Sequence, residues 1–319
     1  MKRYLLLARS RSARRVLNAL SVVIVALVVF FTVRHFLRHG WPLHHANILL
    51  VCTAAGLFLA AYGFKAFGWG RLFTRSERPS PLSLAAAGGA AAVTGIALPG
   101  RFDEAVRIAV VRRLRGKRTG IGALCLSILL LGLIDSAALS PIAGIAAVVS
   151  GTTGWFLAGL ILVAAAGVAA AALVIALPRI ARIGRLVRFR AAGWAREHCA
   201  SPREVSVAWA FVSVSWLLRG AALFVLLHAL SVGTSASSVP IALAFLCASA
   251  ASAALPIAPA GAATQAGAGA AIMVATGIHA SEAIAFAVAA QALMILAGAA
   301  IVVVAGLWHA GSHLAAARA

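Results

Sequence analysis

Two arginines flank two acids just after Pro99-Gly100: Arg101, Asp103, Glu104 and Arg107. A chain break followed by a helix start offers free N–H groups and positive potential, and an arginine beside it adds a planar fork for phosphate. Arg101, with Arg107, therefore suits a lipid phosphate. The same spacing allows a purely structural use, because Arg101 and Arg107 each stand three residues from Glu104 and can pair with it along a helix. Asp103 and Glu104 also suit a first helical turn by charge alone. Both readings of Arg101 stay open, and Asp103 reads as structural.

Asp135 and Arg219 lie deepest within long apolar runs. Ionisable groups at membrane depth are costly, usually face the protein interior, and mark function by default. The two could pair with each other, as a gate or as a fixed strut. The strut is preferred, because breaking a buried pair strands a charge at about 3–5 kcal/mol. Gln265 and Gln291 are expected to hydrogen-bond between helices, with Gln265 also close enough to a second chain break to be a substrate contact. His35/His39 and His309/His313 have i,i+4 spacing without a carboxylate or cysteine beside them, so they read as interfacial residues near Trp41 and Trp308, not metal ligands. The four cysteines are scattered without CxxC pairing, which argues against a disulfide framework. Ser281-Glu282 reads as a helix cap.

The elements that must position these residues follow from composition. Of 319 residues 63% are hydrophobic, mean hydropathy is +1.00, and 28 Lys+Arg stand against 7 Asp+Glu. Only 11% are charged, where a soluble domain carries about 25%. Water-soluble globular folding is excluded, and so is disorder, which requires low hydrophobicity. The net charge of +21 would suggest nucleic acid in a soluble protein, but the basic residues sit in short segments between apolar runs, so no nucleic-acid partner is expected. The sequence predicts an all-α polytopic membrane protein with six full spans: Leu17–Val33, Ala46–Phe67, Ile121–Val149, Trp155–Leu177, Val205–Leu230 and Ser281–Leu307. Residues 1–16 form a basic cytoplasmic N-terminus with the first span retained as an anchor. Residues 17–307 form one membrane domain, and 308–319 a short cytoplasmic tail.

With the N-terminus inside, the inner segments 1–16, 65–78, 101–118, 179–203 and the tail hold 25 Lys/Arg, against two in outer loops. The positive-inside rule then places both termini in the cytoplasm of a cell membrane. The basic segment Arg179–Arg203 needs no partner beyond anionic lipid. Two further runs are short and broken: Leu82–Leu98 by Pro99-Gly100, and Val239–Leu255 by Pro256, Pro259 and Gly261. The first hairpin enters from inside and the second from outside. Helix, broken hairpin, helix thus occurs twice in opposite orientation. Such paired interruptions point to a transporter's substrate site near the midplane.

The stretch Leu98-Pro99-Gly100-Arg101-Phe102-Asp103-Glu104-Ala105-Val106-Arg107 resembles the lysylphosphatidylglycerol synthetase membrane-region, or flippase-like, family, whose pattern there is roughly L-P-x-R-x-G-E-x-x-R. Asp135 resembles the Asp of the family's E-R-x-x-D motif, with Leu131 and Gly132 at its charged pair. Pro256–Gly261 resembles the family's P-x-x-P-G-G-x-G-x-x-E hairpin, with Gln265 or Ala266 near its Glu. The resemblance runs from about Leu17 to Leu307 and implies a domain that moves phospholipids or lipid-linked intermediates between leaflets. Its substrate contacts would be Pro99, Gly100, Arg101, Glu104, Arg107, Asp135, Arg219, Pro256, Pro259, Gly261 and Gln265. The partner expected is an anionic phospholipid or polyprenyl-linked lipid, and no cofactor is expected, since no nucleotide-binding motif is present. Larger family members add an aminoacyl-transferase domain, and with twelve residues after Leu307 lipid aminoacylation is not expected here. The alternative function is a membrane adaptor for a separately encoded glycosyl- or acyl-transferase. An intramembrane enzyme lacks an acid–base or nucleophile constellation.

Overall fold

The computed structural model describes residues 34, 46–95, 102–115, 119–180, 201–232, 238–253 and 261–318. The expected first span, Leu17–Val33, lies outside them. Among the described residues there are nine α-helices and no strand: α1 (Ile48–Arg71), α2 (Pro81–Thr94), α3 (Phe102–Arg115), α4 (Ile121–Val149), α5 (Gly154–Ile180), α6 (Pro202–Ala229), α7 (Ser238–Ala253), α8 (Gly261–Ala275) and α9 (Ala280–Arg318). Five of them, α1, α4, α5, α6 and α9, are long and apolar enough to cross a membrane. They match the last five expected spans.

Local chemistry sets the helix starts. Asn47 caps α1 by accepting from the Leu49 and Leu50 amides, and Ser80 and Ser201 cap α2 and α6, each with proline in the first helical turn. Gly151 and Gly154, at φ +65° and +61°, turn the chain back sharply between α4 and α5, a conformation side chains resist. The expected cap Ser281 instead lies inside α9, which starts one residue earlier. The arms α2, α3, α7 and α8 contain 14, 14, 16 and 15 residues. At 1.5 Å per residue they reach about 21–24 Å, short of a core of about 30 Å. The two hairpins are therefore re-entrant, and the end of α2 meets the start of α8: the Ala262 amide donates to the Gly95 carbonyl at 3.5 Å.

α1 and α6 pack antiparallel along their whole length. Near one end Asn47 donates its amide to the Ala229 carbonyl at 2.9 Å, and at the other Arg71 pairs with Glu204 at 3.4 Å. Between them Ser215 bonds Ala61, Gly68 faces Ala208 and Val212, and Phe211 stacks against Phe64 and Phe67. Arg78 also reaches Glu204, and Thr119 bonds the Glu77 carbonyl, so Arg71, Arg78, Thr119 and the start of α6 share one end of the bundle.

Two units surround this pair, α1–α4 and α6–α9 without α5. Packing within the first unit is mirrored in the second: α1 on α2 as α6 on α7, α2 on α3 as α7 on α8, and α3 on α4 as α8 on α9. Packing between units is mirrored too, with α1 on α9 as α6 on α4, and α2 on α9 as α7 on α4. Because the equivalent helices α1 and α6 run antiparallel, the axis relating the units is perpendicular to the spans. This is an inverted repeat. α5 stands outside it, packed on α4 through Gly167 against Ser136 and Ser140, with Ser140 donating to the Ala164 carbonyl at 2.7 Å.

Candidate functional site

The pseudo-two-fold axis can be located from one hydrogen bond. Ser215 Oγ donates to the Ala61 carbonyl at 2.8 Å, in a buried setting. Counted from Ile48 and Pro202, these two residues hold the same place in their helices, so the axis passes between them. The next equivalent pairs are Tyr62 with Trp216, and Lys65 with Arg219. An aromatic-x-x-cation pattern has thus been placed twice at the crossing of the two units.

The first half of the cluster is a closed polar contact. Lys65 Nζ lies 2.6 Å from Asp135 Oδ2, each side chain 19% exposed. Trp216 Nε1 donates to the other carboxylate oxygen, Asp135 Oδ1, at 3.1 Å. Lys65 also sits 5.7 Å from the Trp216 ring centroid. The expected Asp135–Arg219 pairing is therefore not what forms; Lys65 takes the carboxylate. Lys65 belongs to α1 proper, and a lysine stem extends toward the start of its own helix, here toward the axis and Asp135. It must be removed from the basic flank in which charge counting had placed it.

The second half differs. The Arg219 guanidinium lies 5.0 Å from the Trp216 centroid and 5.7 Å from that of Tyr62, within cation–π range. Among the described residues no carboxylate pairs with it. The reason is one residue: Met294 holds in α9 the place that Asp135 holds in α4, counted from Ala280 and Ile121. Tyr62 Oη donates to the Met294 backbone carbonyl at 3.4 Å, the counterpart of the Trp216–Asp135 bond.

α3 brings Arg107 within electrostatic reach of Tyr62 and Lys65. Its Nη2 is 3.5 Å from Asp103, one turn back, so Asp103 joins the first-turn acids as an ion-pair partner. Arg107 Nε is buried with no partner among the described residues. Glu104 is half-buried in the same turn. At the hairpin tips, Gly261 opens α8. Gln291 donates to Gln265 Oε1 at 3.3 Å and to the Ala262 carbonyl at 3.2 Å, the helix-to-helix bonding expected of these glutamines. Pro99, Gly100, Arg101, Pro256 and Pro259 lie outside the described residues.

Beside the cluster an apolar cavity of about 210 Å³ opens between α4, α6 and α7, with Ile142, Trp216, Gly220, Phe224, Leu243 and Leu246 among its walls. Trp216 is shared: its N–H faces Asp135, Arg219 lies over its ring, and the residue lines the cavity.

The sequence model of the lysylphosphatidylglycerol synthase TM region matches residues 18–306, nearly the whole chain. The chain belongs to this family. It matches no curated protein and no solved structure. A lysylphosphatidylglycerol synthase TM region is a multi-pass membrane domain with a lipid-related function, which agrees with five long apolar helices around a half-buried charge cluster. Within this member, Asp135, Arg107 and Arg219 all lie within electrostatic reach of Lys65, although the expected Asp135–Arg219 pair does not form. Tyr62, Lys65, Trp216 and Met294 were missed, although the aromatic-x-x-cation pattern at Tyr62–Lys65 and Trp216–Arg219 was there to be seen.

Proposed function

We propose that the protein is a lipid translocase of the cytoplasmic membrane, with both termini inside, that binds an anionic phospholipid or lipid-linked intermediate and carries it between leaflets. The observation that carries this reading is the half-buried cluster of Lys65, Arg107, Asp135 and Arg219 on the axis of an inverted repeat. Charges at that depth are maintained against a large desolvation cost, and an inverted repeat supplies two related arrangements of the same helices around one site. The described ends of the two hairpins meet where the Ala262 amide reaches the Gly95 carbonyl. The cations supply the attraction for a phosphate, and the cavity at Trp216 supplies a wall for hydrocarbon. The charge distribution supports the orientation, since Arg71, Arg78 and the start of α6 share one end of the bundle.

Reconstitution tests the reading. Purified protein in vesicles carrying a fluorescent phosphatidylglycerol in one leaflet is expected to speed its exchange to the other, measured by reduction of the exposed fluorophore. Exchange no faster than in protein-free vesicles, for phosphatidylglycerol and for a polyprenyl phosphate alike, would refute it and turn attention to a co-purifying transferase.

A further inference from the structure

The two halves of the polar cluster are related by the repeat but are not chemically equivalent. In the first half the cation has its anion built in: Lys65 is held by Asp135, which Trp216 also bonds. In the second, Met294 stands where that acid would be, and Arg219 is met only by two aromatic faces among the described residues. Rings stabilise a guanidinium through their faces and are not the planar, two-oxygen acceptor that its fork fits. Arg107 adds a buried Nε without a partner among the described residues, and a buried donor left unpaired calls for an explanation. Among the described residues, then, Lys65 has a carboxylate and Arg219 has none.

Packing breaks the repeat in the same place. α2 seats on α9 through Gly89 against Gly298, backbone to backbone. The residues holding the same places in α7 and α4 are Leu246 and Leu139. Both are buried, and Leu246 lines the cavity between α4, α6 and α7. Arg219, without a carboxylate among the described residues, and the open apolar cavity are thus joined through Trp216, which Arg219 overlies and which lines the cavity.

We infer that the Arg219 half is the headgroup site for the phosphate of an anionic lipid, with one hydrocarbon chain in the α4–α6–α7 cavity, while the Lys65–Asp135 half is a permanent strut. This rests on the lipid reading above and narrows it to one side of the axis. A guanidinium fork suits two phosphate oxygens. At about 210 Å³ the cavity falls below the roughly 300–1,000 Å³ of a drug-sized site, so it takes part of one chain and not a whole lipid. The substitution Met294→Asp distinguishes this from any diffuse attraction, because it leaves every cation in place and gives Arg219 the acid that Lys65 already has.

The experiment is native mass spectrometry of protein in mild detergent, equilibrated with mixed micelles of phosphatidylglycerol and phosphatidylcholine. Wild type and Met294→Leu are expected to retain phosphatidylglycerol preferentially, and Met294→Asp to lose that preference. Gly220→Leu, which extends a side chain toward Leu243 and Leu246 across the cavity, is expected to lose the adduct with every charge unchanged. It also decides the matter should Met294→Asp fail to give monodisperse protein. Glycerol 3-phosphate at the same concentration should leave the adduct in place; displacement by it would assign the site to a free phosphate instead. Unchanged phosphatidylglycerol preference in Met294→Asp, or an unchanged adduct in Gly220→Leu, overturns the inference. If those variants behave as expected but wild type moves no lipid in vesicles, the translocase reading fails and this site stands. If wild type moves lipid and the variants keep their adducts, the reverse holds.

Discussion

The seam between α2 and α9 and its counterpart between α7 and α4 start from equivalent elements and end as different structures. In the first, Gly89 and Gly298 bring two backbones together; in the second, Leu246 and Leu139 hold the equivalent places, and Leu246 lines an apolar cavity. The same divergence appears at the axis, where Asp135 neutralises Lys65 and Met294 leaves Arg219 to its two rings. The inverted repeat thus fixes the frame, and a handful of residue identities decide which half is closed and which is open. A symmetric frame with an asymmetric interior is what a site needs if the substrate is to supply an interaction the protein has not already made with itself.

The sharpest way to break this comparison is to remove the acid. Asp135→Asn leaves Lys65 and Trp216 in place but strands the ammonium, and losing one member of a buried pair costs about 3–5 kcal/mol. Met294→Leu, at the equivalent place, is a volume-conserving swap that should cost less than about 1.5 kcal/mol. The expected outcome is a much lower thermal midpoint for Asp135→Asn than for Met294→Leu, read by size-exclusion survival after heating. The double substitution Lys65→Met with Asp135→Leu should recover much of the loss, because it removes both charges. Equal midpoints for the two single variants would show that the Lys65–Asp135 contact is not a strut.

The next largest effect is expected at the tight seam. A Cβ at Gly89 would strike the Gly298 carbonyl, which cannot rotate away, whereas a Cβ at Gly220 meets only the tips of Leu246 and Leu243 at 3.6 and 3.8 Å. Gly89→Ala should therefore lower stability by about 1–3 kcal/mol, the usual cost of overpacking, and Gly220→Ala should leave it nearly unchanged. The same heat-survival measurement separates them. Comparable losses would mean that the α4–α7 seam is as full as its partner.

The frame of this molecule was legible in the sequence because long apolar runs and Pro/Gly interruptions are one-dimensional signals. Ile121–Val149 is a helix with the bounds the apolar run gives. Leu82–Leu98 shifts only to Pro81–Thr94, where Ser80 caps and proline starts the helix. The interior was read less well. Lys65 sits near the end of an apolar run, and a cation there reads as an interfacial anchor unless its partner is known. That partner, Asp135, is three elements later, and only packing shows that Lys65 reaches it before Arg219 does. Met294 carried no signal alone, since a methionine in an apolar run is ordinary core. Its meaning comes from the repeat, which places it opposite Asp135.

The smallest effect concerns the hairpins' outer arms. Gln291 ties α9 to α8 by hydrogen bonds to Gln265 and the Ala262 carbonyl. The place it holds in α9 is held in α4 by Gly132, which has no side chain to offer α3. Hydrogen bonds between membrane helices average about 0.6 kcal/mol, so Gln291→Leu should barely move the thermal midpoint. It should still be visible locally, because the bond holds the first turn of α8 and so the point where the two hairpins meet. Hydrogen exchange along 261–275 is expected to quicken in Gln291→Leu, while exchange along 102–115 stays as in wild type. If both arms quicken together, the Ala262–Gly95 contact couples the hairpins into one opening unit, and the difference between the two halves is confined to Arg219 and its cavity.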